Sequence, residues 1–543
     1  MCQTLGVSAH SEEILMSEVV TVADFLRVSA ASDPERVALI DAVTGEELTY
    51  AELDERVTAT AQIMLDRGLV PARIGDRVAM LLGNSIDFVV TYFAVVRAGL
   101  VAVPLNPGYT VGELAGILTE CDAQILLVSA DTVELGIAAA PSGCAVIFCD
   151  EVLPSKESLR GLLKESLRSL VKRNSSKTAM PRIESDDLAL LLFTSGSDGV
   201  PKGVMLSHEN LVSNIQALAS LRNPPIVSAE DTVLAVLPLF HVYGLNTVLT
   251  LAIAAGAGVV LLDRFDAEQS LEVIAREHVT TVAGAPAMYL MWSRVASVKD
   301  AMRPTRMLTS GGAPLPAEVF TRFEELTGMR IYEGYGMTET SPVITSTVVD
   351  GKAVAGSVGS AIPGTEIKIM ADFGDEAETG DPGEIWVKGP GVFSGYWPNH
   401  SDGPDAQGWF GTGDIGYLDD DRSLHLVDRR RELIIVNGFN VFPREVEIVL
   451  ESIDGVSEAA VLGRPDPETG EAVSALVVLA AGSALTAEEI SVMAQESLAR
   501  FKCPTDIRIV RSLPRSATGK IAKGRLREVY DLGVESPDVP SNT

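Results

Sequence analysis

One uncharged run in the sequence is long enough to cross a membrane, and its folding decides the class of the whole protein. From Thr232 to Leu262 the chain has 31 residues without Asp, Glu, Lys or Arg, whereas a transmembrane helix needs about 20 apolar residues. Pro238 and Gly244 interrupt its first half, and a glycine-containing turn then leads into the β-branched Val259. Such breaks are typical of several short elements. We therefore predict strand, loop, buried helix and strand inside a soluble core.

Short apolar runs alternate with helical patterns along most of the chain. Residues 77–82 predict a strand, residues 87–99 a helix, and residues 123–129 and 143–149 two further buried strands. Continuous apolar strands separated by helices are typical of α/β proteins with parallel sheets. We therefore predict a large N-terminal domain over residues 1–427, made of α/β subdomains with mostly parallel sheets.

The composition changes near residue 428, where a turn-rich acidic stretch gives way to a new pattern of strands and helices. Residues 428–543 are enough for one small α+β domain. Its last residues, VESPDVPSNT, predict a disordered tail.

Charge and cysteine usage restrict the partners and the compartment. The chain has 43 Lys and Arg, 74 Asp and Glu and a net charge of −31, which argues against a nucleic-acid-binding protein because phosphate contacts require a positive face. Residues 156–182 are locally basic and predict an amphipathic helix, which either touches a membrane weakly or links two subdomains; we favour the linker. The five cysteines lack CxxC spacing and the N-terminus is acidic, which predicts a cytoplasmic protein.

The motif richest in chemistry lies at residues 190–208, LLLFTSGSDGVPKGVMLSH, where a buried strand ends in a loop of small and hydroxylated residues. Glycines let backbone amides approach an anion, hydroxyls donate hydrogen bonds, and Lys202 supplies a point charge. A polyphosphate needs these groups. The spacing from Gly196 to Lys202 does not fit the P-loop pattern, and such a loop alone is also consistent with a simple glycine-rich turn.

Further motifs follow in a fixed order: SGGAPL at 310–315, YEGYGMTETSP at 332–342, GEIWVKGP at 383–390, GWFGTGD at 408–414, DRRRELIIVNGFNVFPREVE at 428–447 and LPRSATGKIAKGRLR at 513–527. With them nearly the whole sequence resembles the adenylate-forming (ANL) superfamily of acyl-CoA synthetases, adenylation domains and luciferases. The likeness is closest to bacterial fatty-acid–CoA ligases (long-chain acyl-CoA synthetases), with coumarate–CoA ligases next. The resemblance implies the ANL fold, with a small mobile C-terminal domain.

The resemblance also implies an ATP-dependent acid–thiol ligase that works in two steps with ATP, Mg²⁺ and coenzyme A. The carboxylate of a medium- or long-chain fatty acid attacks the α-phosphorus to give acyl-AMP and pyrophosphate, and the thiol of coenzyme A then displaces AMP. This chemistry depends on positioning and charge neutralisation more than on a protein nucleophile.

Residues that match the family's motifs take their expected roles from it. The catalytic residues are Lys520, Lys202, Glu339 and His241, with Glu339 as the Mg²⁺ ligand because this ion prefers carboxylate and phosphate oxygens. Tyr335 would stack on adenine. The residues at nucleotide-binding positions are Thr194, Ser195, Gly196, Ser197, Gly199, Lys202, Gly312, Ala313, Pro314, Glu333, Gly334, Tyr335, Gly336, Thr338, Asp414, Arg429 and Lys520.

The acyl pocket is expected from residues 237–247 with Gly311 and Gly334. His241 would lie beside the substrate carboxylate and Tyr243 would face the tail, although a histidine here could also be an ordinary core residue. For coenzyme A and domain rotation, the resemblance implies a hinge at Arg431, a channel lined by Gly438 and a phosphate contact from Arg264.

The sequence departs from the family pattern at three positions. Asp198 puts an anion in the phosphate loop, Asn437 replaces a lysine that contacts coenzyme A in coumarate-type relatives, and Arg431 stands where many relatives have lysine or aspartate. Free coenzyme A is the favoured acceptor. The alternatives are an acyl carrier protein as acceptor, an aryl or coumarate-type acid as substrate, and a catalytically silent nucleotide-binding relative. Either a monomer or a homodimer is expected.

Overall fold

The computed structural model describes residues 19–66, 75–153, 179–195, 201–371, 374–429, 434–436, 439–441, 443–466, 470–495, 497–498, 500–515, 521, 523 and 526. The chain divides into two compact units, Met1–Glu366 with Lys388–Phe410, and Ile367–Val387 with Gly411–Thr543. The domain boundary near residue 428 stays a prediction.

The elements up to residue 361 alternate between strands and helices. The strands are β1 Val37–Asp41, β2 Glu47–Thr49, β3 Arg77–Leu81, β4 Val101–Pro104, β5 Ile125–Val128, β6 Ala145–Phe148, β7 Leu188–Ser195, β8 Pro201–Ser207, β9 Thr232–Ala235, β10 Gly258–Leu261, β11 Thr281–Gly284, β12 Met307–Ser310, β13 Tyr332–Gly336, β14 Val343–Ser346 and β15 Ser360–Ala361. The helices are α1 Val22–Ser32, α2 Tyr50–Asp66, α3 Ile86–Arg97, α4 Val111–Glu120, α5 Val133–Ala139, α6 Cys149–Val152, α7 His208–Ala219, α8 Leu251–Ala255, α9 Ala267–Arg276, α10 Pro286–Trp292, α11 Val298–Ala301 and α12 Ala317–Thr327, with a π-helix at Tyr243–Thr250 and a 3₁₀ turn at Thr338–Thr340.

One sheet of the first unit has six strands in the order β6-β5-β3-β4-β7-β8. Its neighbours are parallel except for the antiparallel β7–β8 pair. The strands predicted at 77–82 and 123–129 and the helix at 87–99 are confirmed. The strand at 143–149 also exists, but the prediction that it is buried is wrong. It forms the edge strand β6, whose residues are exposed or half-buried because only one neighbour covers them.

The other sheet of this unit has nine strands in the order β15-β14-β13-β12-β11-β9-β10-β1-β2. The central run from β13 to β1 is parallel, and only the outer pairs are antiparallel. The predicted α/β class with mostly parallel sheets is therefore confirmed.

The uncharged run folds as predicted into separate elements: strand β9, a loop, a buried helical segment and strand β10. Strands β9 and β10 are parallel neighbours in the nine-stranded sheet. The helical segment differs from an ordinary α-helix, because a π-helix at Tyr243–Thr250 precedes the short α8. In the part of the chain that the structure describes, no helix has the length and apolar character to span a bilayer.

The side chain of Asn84 fixes both ends of the uncharged run. Its Nδ2 donates to the carbonyl oxygens of Ala235 at 3.2 Å and Leu237 at 2.9 Å, with Leu262 at 3.3 Å. Its Oδ1 accepts from the Leu239 amide at 2.9 Å. Asn84 follows β3 of the six-stranded sheet, so one buried side chain joins the two sheets of the first unit.

The later elements form two sheets. They are β16 Glu366–Met370, β17 Gly383–Lys388, β18 Phe410–Leu418, β19 Leu424–Arg429, β20 Ile434–Val436, β21 Phe439–Val441, α13 Pro443–Glu451, β22 Val456–Asp466, β23 Gly470–Leu479, α14 Ala487–Gln495 and β24 Asp506–Val510. One sheet has the order β16-β17-β18-β19, and the other has β21-β20-β23-β22 with β24 beside β23. The β18–β19, β20–β21, β20–β23 and β22–β23 pairs are antiparallel. Helices α13 and α14 supply Val446 and Ile490 to a core with Val477, an α+β arrangement as predicted.

Candidate active site

The hairpin of β7 and β8 carries the residues predicted to bind phosphate. The antiparallel register places Thr194 opposite Lys202, next to the pair of Ser195 and Pro201 at which β7 ends and β8 begins. Both side chains are half-buried. Gly196, Ser197, Asp198 and Gly199 lie outside the described residues, as does the side chain of Ser195.

Lys202 and Glu339 are connected through the aromatic ring of Tyr396. The Lys202 ammonium lies 5.1 Å from the centroid of that ring, and the Tyr396 hydroxyl donates to Oε1 of Glu339 at 2.7 Å. Lys202 Nζ also lies 3.1 Å from a carboxylate oxygen of Asp402. The predicted phosphate lysine and the predicted metal ligand thus lie on two sides of one tyrosine.

Backbone hydrogen bonds hold residues 393–397, which include Tyr396, against strand β8 and against the 3₁₀ turn that carries Glu339. The Phe393 amide donates to the Glu339 carbonyl at 2.8 Å, and the Trp397 amide donates to the Gly203 carbonyl at 2.8 Å. Tyr396 itself forms an isolated antiparallel bridge with Val204.

Tyr396 and Asp402 were not among the residues predicted from the sequence. Tyr396 is separated from Glu339 by 57 positions and Asp402 from Lys202 by 200, and no local pattern links residues so far apart. The one available signal was position, because Tyr396 follows the GEIWVKGP motif within a few residues.

Glu333 connects the two motifs predicted to surround adenine. Strands β12 and β13 are parallel neighbours, with Ser310 opposite Glu333, so SGGAPL and YEGYG lie side by side. Oε1 of Glu333 accepts from the Leu315 amide at 2.8 Å. Burial raises the pKa of Glu333 to about 7, and this hydrogen bond opposes the rise.

The remaining residues of these two motifs lie near the Glu333–Leu315 hydrogen bond in the sequence. Gly312, Ala313 and Pro314 form the loop before Leu315. Tyr335 is largely buried on β13, while Gly336 ends the strand and Thr338 begins the 3₁₀ turn that carries Glu339.

The predicted acyl pocket brings Tyr243 against Gly311. A Cβ atom on Gly311 would lie 3.2 Å from the Tyr243 ring, and the Tyr243 hydroxyl lies 3.5 Å from Oγ1 of Thr309. Burial raises the pKa of Tyr243 to about 12, so the phenol is neutral at physiological pH. An uncharged ring is therefore placed beside the SGGAPL loop.

Gly244 is required where the π-helix packs on the preceding loop. A Cβ atom there would lie only 2.4 Å from the Pro238 carbonyl oxygen, so any side chain would force the backbone apart. His241 lies between these residues, half-buried, with its ring 4.7 Å from that of Phe240. Its carbonyl accepts from the Leu245 amide at 2.9 Å and so leads into the π-helix.

Other predicted residues have surroundings of their own. Asp414 is buried on β18, where the register places it opposite Arg429 on β19. Gly334 lies on β13 opposite Ser346. The Arg264 side chain is 92% exposed, with Asp263 at 3.7 Å. Lys520, Arg431 and Gly438 lie outside the described residues.

The donor set fits Mg²⁺. Glu339 is buried and presents a carboxylate of which Tyr396 engages one oxygen. Among the described residues, no group of three or more His, Cys, Asp or Glu side chains forms a metal cage. Mg²⁺ is commonly held by one or two carboxylates together with substrate phosphates, which a single protein ligand can satisfy.

A separate cavity of about 420 Å³ lies near α1, lined by residues that include Arg27, Asp54, Arg97 and Glu184. None of its lining residues is one of the predicted site residues.

Comparison with known proteins decides the family. Residues 26–397 match the family described as AMP-binding enzyme, and residues 445–520 match the AMP-binding enzyme C-terminal domain. The chain belongs to the AMP-binding enzyme family. The predicted membership of the adenylate-forming superfamily is confirmed.

Relatives of this AMP-binding enzyme extend over nearly its full length. It is 33% identical to a long-chain-fatty-acid–CoA ligase of Bacillus subtilis, covering 94% of each chain. It is 35% identical to a feruloyl-CoA synthase of Amycolatopsis sp., covering 90% of this chain and 94% of the relative. A crystal structure of ATP-bound MatB from Rhodopseudomonas palustris matches with a TM-score of 0.83 and 33% identity, covering 94% of this chain and 99% of MatB.

Family membership establishes the general reaction. CoA ligases of the AMP-binding family use ATP, Mg²⁺ and coenzyme A, and this AMP-binding enzyme is accordingly an ATP-dependent acid–thiol ligase.

Proposed function

We propose that this AMP-binding enzyme activates a medium- or long-chain fatty acid as acyl-AMP and transfers the acyl group to coenzyme A. The observation that carries the proposal is the fold of the uncharged run, which places the neutral Tyr243 ring against Gly311 of the SGGAPL loop. A wall without charges suits a long apolar tail. The 33% identity to a long-chain-fatty-acid–CoA ligase supports the same substrate class.

The first half-reaction would use a nucleotide site formed by the predicted residues. Lys202 and Thr194 would bind the β- and γ-phosphates together with Ser195, Gly196, Ser197 and Gly199. Gly312, Ala313, Pro314 and Tyr335 would surround adenine, with Glu333, Gly334 and Gly336 of the same motif. Thr338 would contact phosphate, and Asp414 would accept hydrogen bonds from the ribose hydroxyls, assisted by Arg429.

Glu339 would hold the magnesium ion, which when bound neutralises phosphate charge. The buried carboxylate has its orientation fixed by the Tyr396 hydroxyl at 2.7 Å, so little reorganisation is needed when the nucleotide arrives.

Two anionic groups must approach each other in adenylation, the substrate carboxylate and the α-phosphate. We assign Lys520 to neutralise both and His241 to hold the carboxylate from the other side. Because the reacting charges are then balanced by fixed groups, positioning accounts for most of the rate enhancement.

The second half-reaction would follow rotation of the smaller domain, residues 428–543, about Arg431. Gly438 would line the channel for the pantetheine arm, and Arg264, whose side chain is 92% exposed, would contact the phosphates of coenzyme A. We place the reaction in the cytoplasm, with the protein acting as a monomer or homodimer.

The proposal is tested by a panel of acids assayed for ATP–pyrophosphate exchange and then for thioester formation with coenzyme A. We expect exchange to rise from short-chain to medium- and long-chain fatty acids. If an aromatic acid is the best substrate, the proposal is replaced by the second candidate, an aryl or coumarate-type CoA ligase. The 35% identity to a feruloyl-CoA synthase favours that candidate. Exchange with no carboxylic acid would indicate a silent nucleotide-binding relative.

The acceptor is tested separately with preformed acyl-AMP. We expect rapid thioester formation with coenzyme A and none with a phosphopantetheinyl acyl carrier protein. The opposite preference would make the enzyme an acyl-AMP ligase for a carrier protein.

A further inference from the structure

Tyr396 contacts the two predicted nucleotide-site residues from different parts of its side chain. Its hydroxyl donates to Glu339 at 2.7 Å, and its ring centroid lies 5.1 Å from the Lys202 ammonium. We propose that Tyr396 is a positioning residue that prepares Glu339 for Mg²⁺ and Lys202 for the polyphosphate of ATP. The inference rests on the roles proposed above for those two residues.

Tyr396 is held firmly enough to position its neighbours. Its amide donates to the Ser401 carbonyl at 3.0 Å, and Val204 on β8 pairs with it across an antiparallel bridge. The ring of the buried Phe393 meets the Tyr396 ring edge to face, with centroids 4.9 Å apart. Lys202 lies on the same strand as Val204, so the ring and the ammonium are carried by paired segments.

The hydroxyl contact prepares a metal ligand. A carboxylate offers about four lone-pair sites, and one hydrogen bond fixes its orientation without removing its charge. Groups that orient a metal ligand typically change metal affinity by about 10- to 100-fold when they are removed. The Tyr396 hydroxyl therefore supplies an orienting contact to Oε1 of Glu339 and leaves the charge of the carboxylate in place.

The ring contact prepares a phosphate ligand without competing for it. Among the described residues, Lys202 contacts the Tyr396 ring and the carboxylate of Asp402 at 3.1 Å, whose side chain is 68% exposed. An incoming phosphate repels Asp402 but not an uncharged ring. The lysine can therefore exchange the aspartate for phosphate while the ring still orients it.

The two contacts use different atoms of the Tyr396 side chain, the hydroxyl for Glu339 and the ring for Lys202, so substitutions can remove them separately. Tyr396→Phe separates the contacts, because phenylalanine keeps the ring beside Lys202 and removes only the hydroxyl. Tyr396→Leu removes both.

Calorimetry with α,β-methylene-ATP tests the inference without any acid substrate. The dissociation constant of the nucleotide is measured once in EDTA and once in excess Mg²⁺. The value in EDTA divided by the value in Mg²⁺, called the magnesium ratio, reports how much the metal strengthens binding. We expect Tyr396→Phe to lower that ratio about 10-fold and to leave the value in EDTA unchanged. Tyr396→Leu should also weaken binding in EDTA by about 3-fold.

Tyr50→Phe is the matched control, because the Tyr50 hydroxyl donates to the Ala257 carbonyl at 2.8 Å within the same unit. It removes a buried phenol hydrogen bond away from Lys202 and Glu339, and its magnesium ratio should equal that of the wild type. An unchanged ratio in Tyr396→Phe, or an equal fall in Tyr50→Phe, would overturn the inference.

Glu339→Gln gives a second measurement that does not depend on the single variant. If Tyr396 acts through Glu339, then adding Tyr396→Phe to Glu339→Gln should not change the magnesium ratio further; a further fall of about 10-fold would contradict the assignment. Nucleotide binding needs no acid, so failure of this inference is distinct from failure of the proposed substrate, which appears only in the exchange assay.

Discussion

His208 shows how a single buried titratable side chain connects two helices. It is the first residue of α7, and its Nδ1 accepts a hydrogen bond from the Val22 amide of α1 at 3.2 Å. Burial lowers the pKa of His208 to about 4, against the opposing effects of Asp187 and Asp24. The ring is therefore neutral in the folded protein at pH 5 to 7, which its role as an acceptor requires.

This histidine predicts a loss of stability in mild acid. The unfolded chain, with a histidine pKa near 6.5, binds a proton that the folded chain does not, so folding weakens as the pH falls from 6.5 toward 4. Between pH 7 and pH 5 the contribution is about 2 kcal/mol. Urea unfolding at both pH values measures it. His208→Gln, which keeps an acceptor but does not titrate, should lack this component; an equal acid loss in that variant would contradict the assignment.

The role proposed for Lys520 predicts different effects of its removal on adenylation and on ATP binding. Lys520→Ala should abolish fatty-acid-dependent ATP–pyrophosphate exchange and leave ATP binding largely intact, because this residue is assigned to the reacting centre and not to the β- and γ-phosphates. Exchange and calorimetric ATP binding separate the two effects. Lys352→Ala, which removes an exposed lysine, is the control, and wild-type exchange in Lys520→Ala would refute the role.

At the scale of elements, the π-helix at Tyr243–Thr250 overlaps the segment 237–247 that is predicted to line the acyl pocket. The Thr250 hydroxyl donates to the Leu245 carbonyl at 2.9 Å, five residues back. Asn246 donates from this helix to the carbonyls of Leu211 at 3.2 Å and Ser341 at 2.7 Å. These contacts keep the wider turns in place, and π-helices are frequent at functional sites.

Gly244→Ala should disturb this element. Its Cβ atom would meet the Pro238 carbonyl oxygen at 2.4 Å, so we expect a cost of about 1–3 kcal/mol and weaker binding of the fatty acid. The measurements are the thermal midpoint and the KM for the acid.

Gly116→Ala provides the matched control within α4, where an added Cβ atom meets nothing within 4 Å. Alanine is favoured over glycine in a helix by up to about 1 kcal/mol, so this variant should be as stable as the wild type or more so. A Gly244→Ala protein that behaves like Gly116→Ala would show that the close packing is not needed.

At the scale of the whole molecule, Asn84 links the two sheets of the first unit. Asn84→Ala would remove the acceptor of the Leu239 amide and the Asn84 donor to the Leu237 carbonyl, whereas the Ala235 carbonyl keeps the Leu262 amide at 3.1 Å. We expect a loss of about 2–4 kcal/mol in the free energy of unfolding, measured in urea.

Asn106→Ala tests whether burial is the cause of that loss. The Asn106 side chain accepts from the Gly108 amide at 2.8 Å in a surface turn, and substitutions of this kind usually change stability by about 0.5 kcal/mol or less. Equal losses in the two variants would mean that the Asn84 side chain contributes no more to the free energy of unfolding than the Asn106 side chain does in its surface turn.

Many strands and helices could be predicted from the sequence, because runs of apolar residues that are neighbours in the chain determine them. The strands at 77–82 and 123–129, the helix at 87–99 and the breaks in the uncharged run all depend on neighbouring residues. The exposure of β6 could not be predicted, because it depends on which strand occupies the sheet edge.

The candidate site was predictable to a smaller extent. Motif resemblance suggested Lys202 and Glu339. Their connection through Tyr396 depends on the pairing of residues 393–397 with the Glu339 carbonyl and with the Gly203 carbonyl next to Lys202, and no local pattern encodes that pairing. The helix after Pro238 was predicted, yet its π form depends on the close approach of Gly244 to a carbonyl oxygen, and apolar periodicity does not report that distance.

The first unit is built from two stretches of chain, Met1–Glu366 and Lys388–Phe410, with part of the second unit between them. A ribosome delivers the chain from its N-terminus, so Phe393 and Trp397 emerge after residues 367–387. Until then the Glu339 and Gly203 carbonyls lack the amides that they accept from in the finished fold. These contacts around the predicted nucleotide site therefore form late in synthesis, after translation of the second unit has begun.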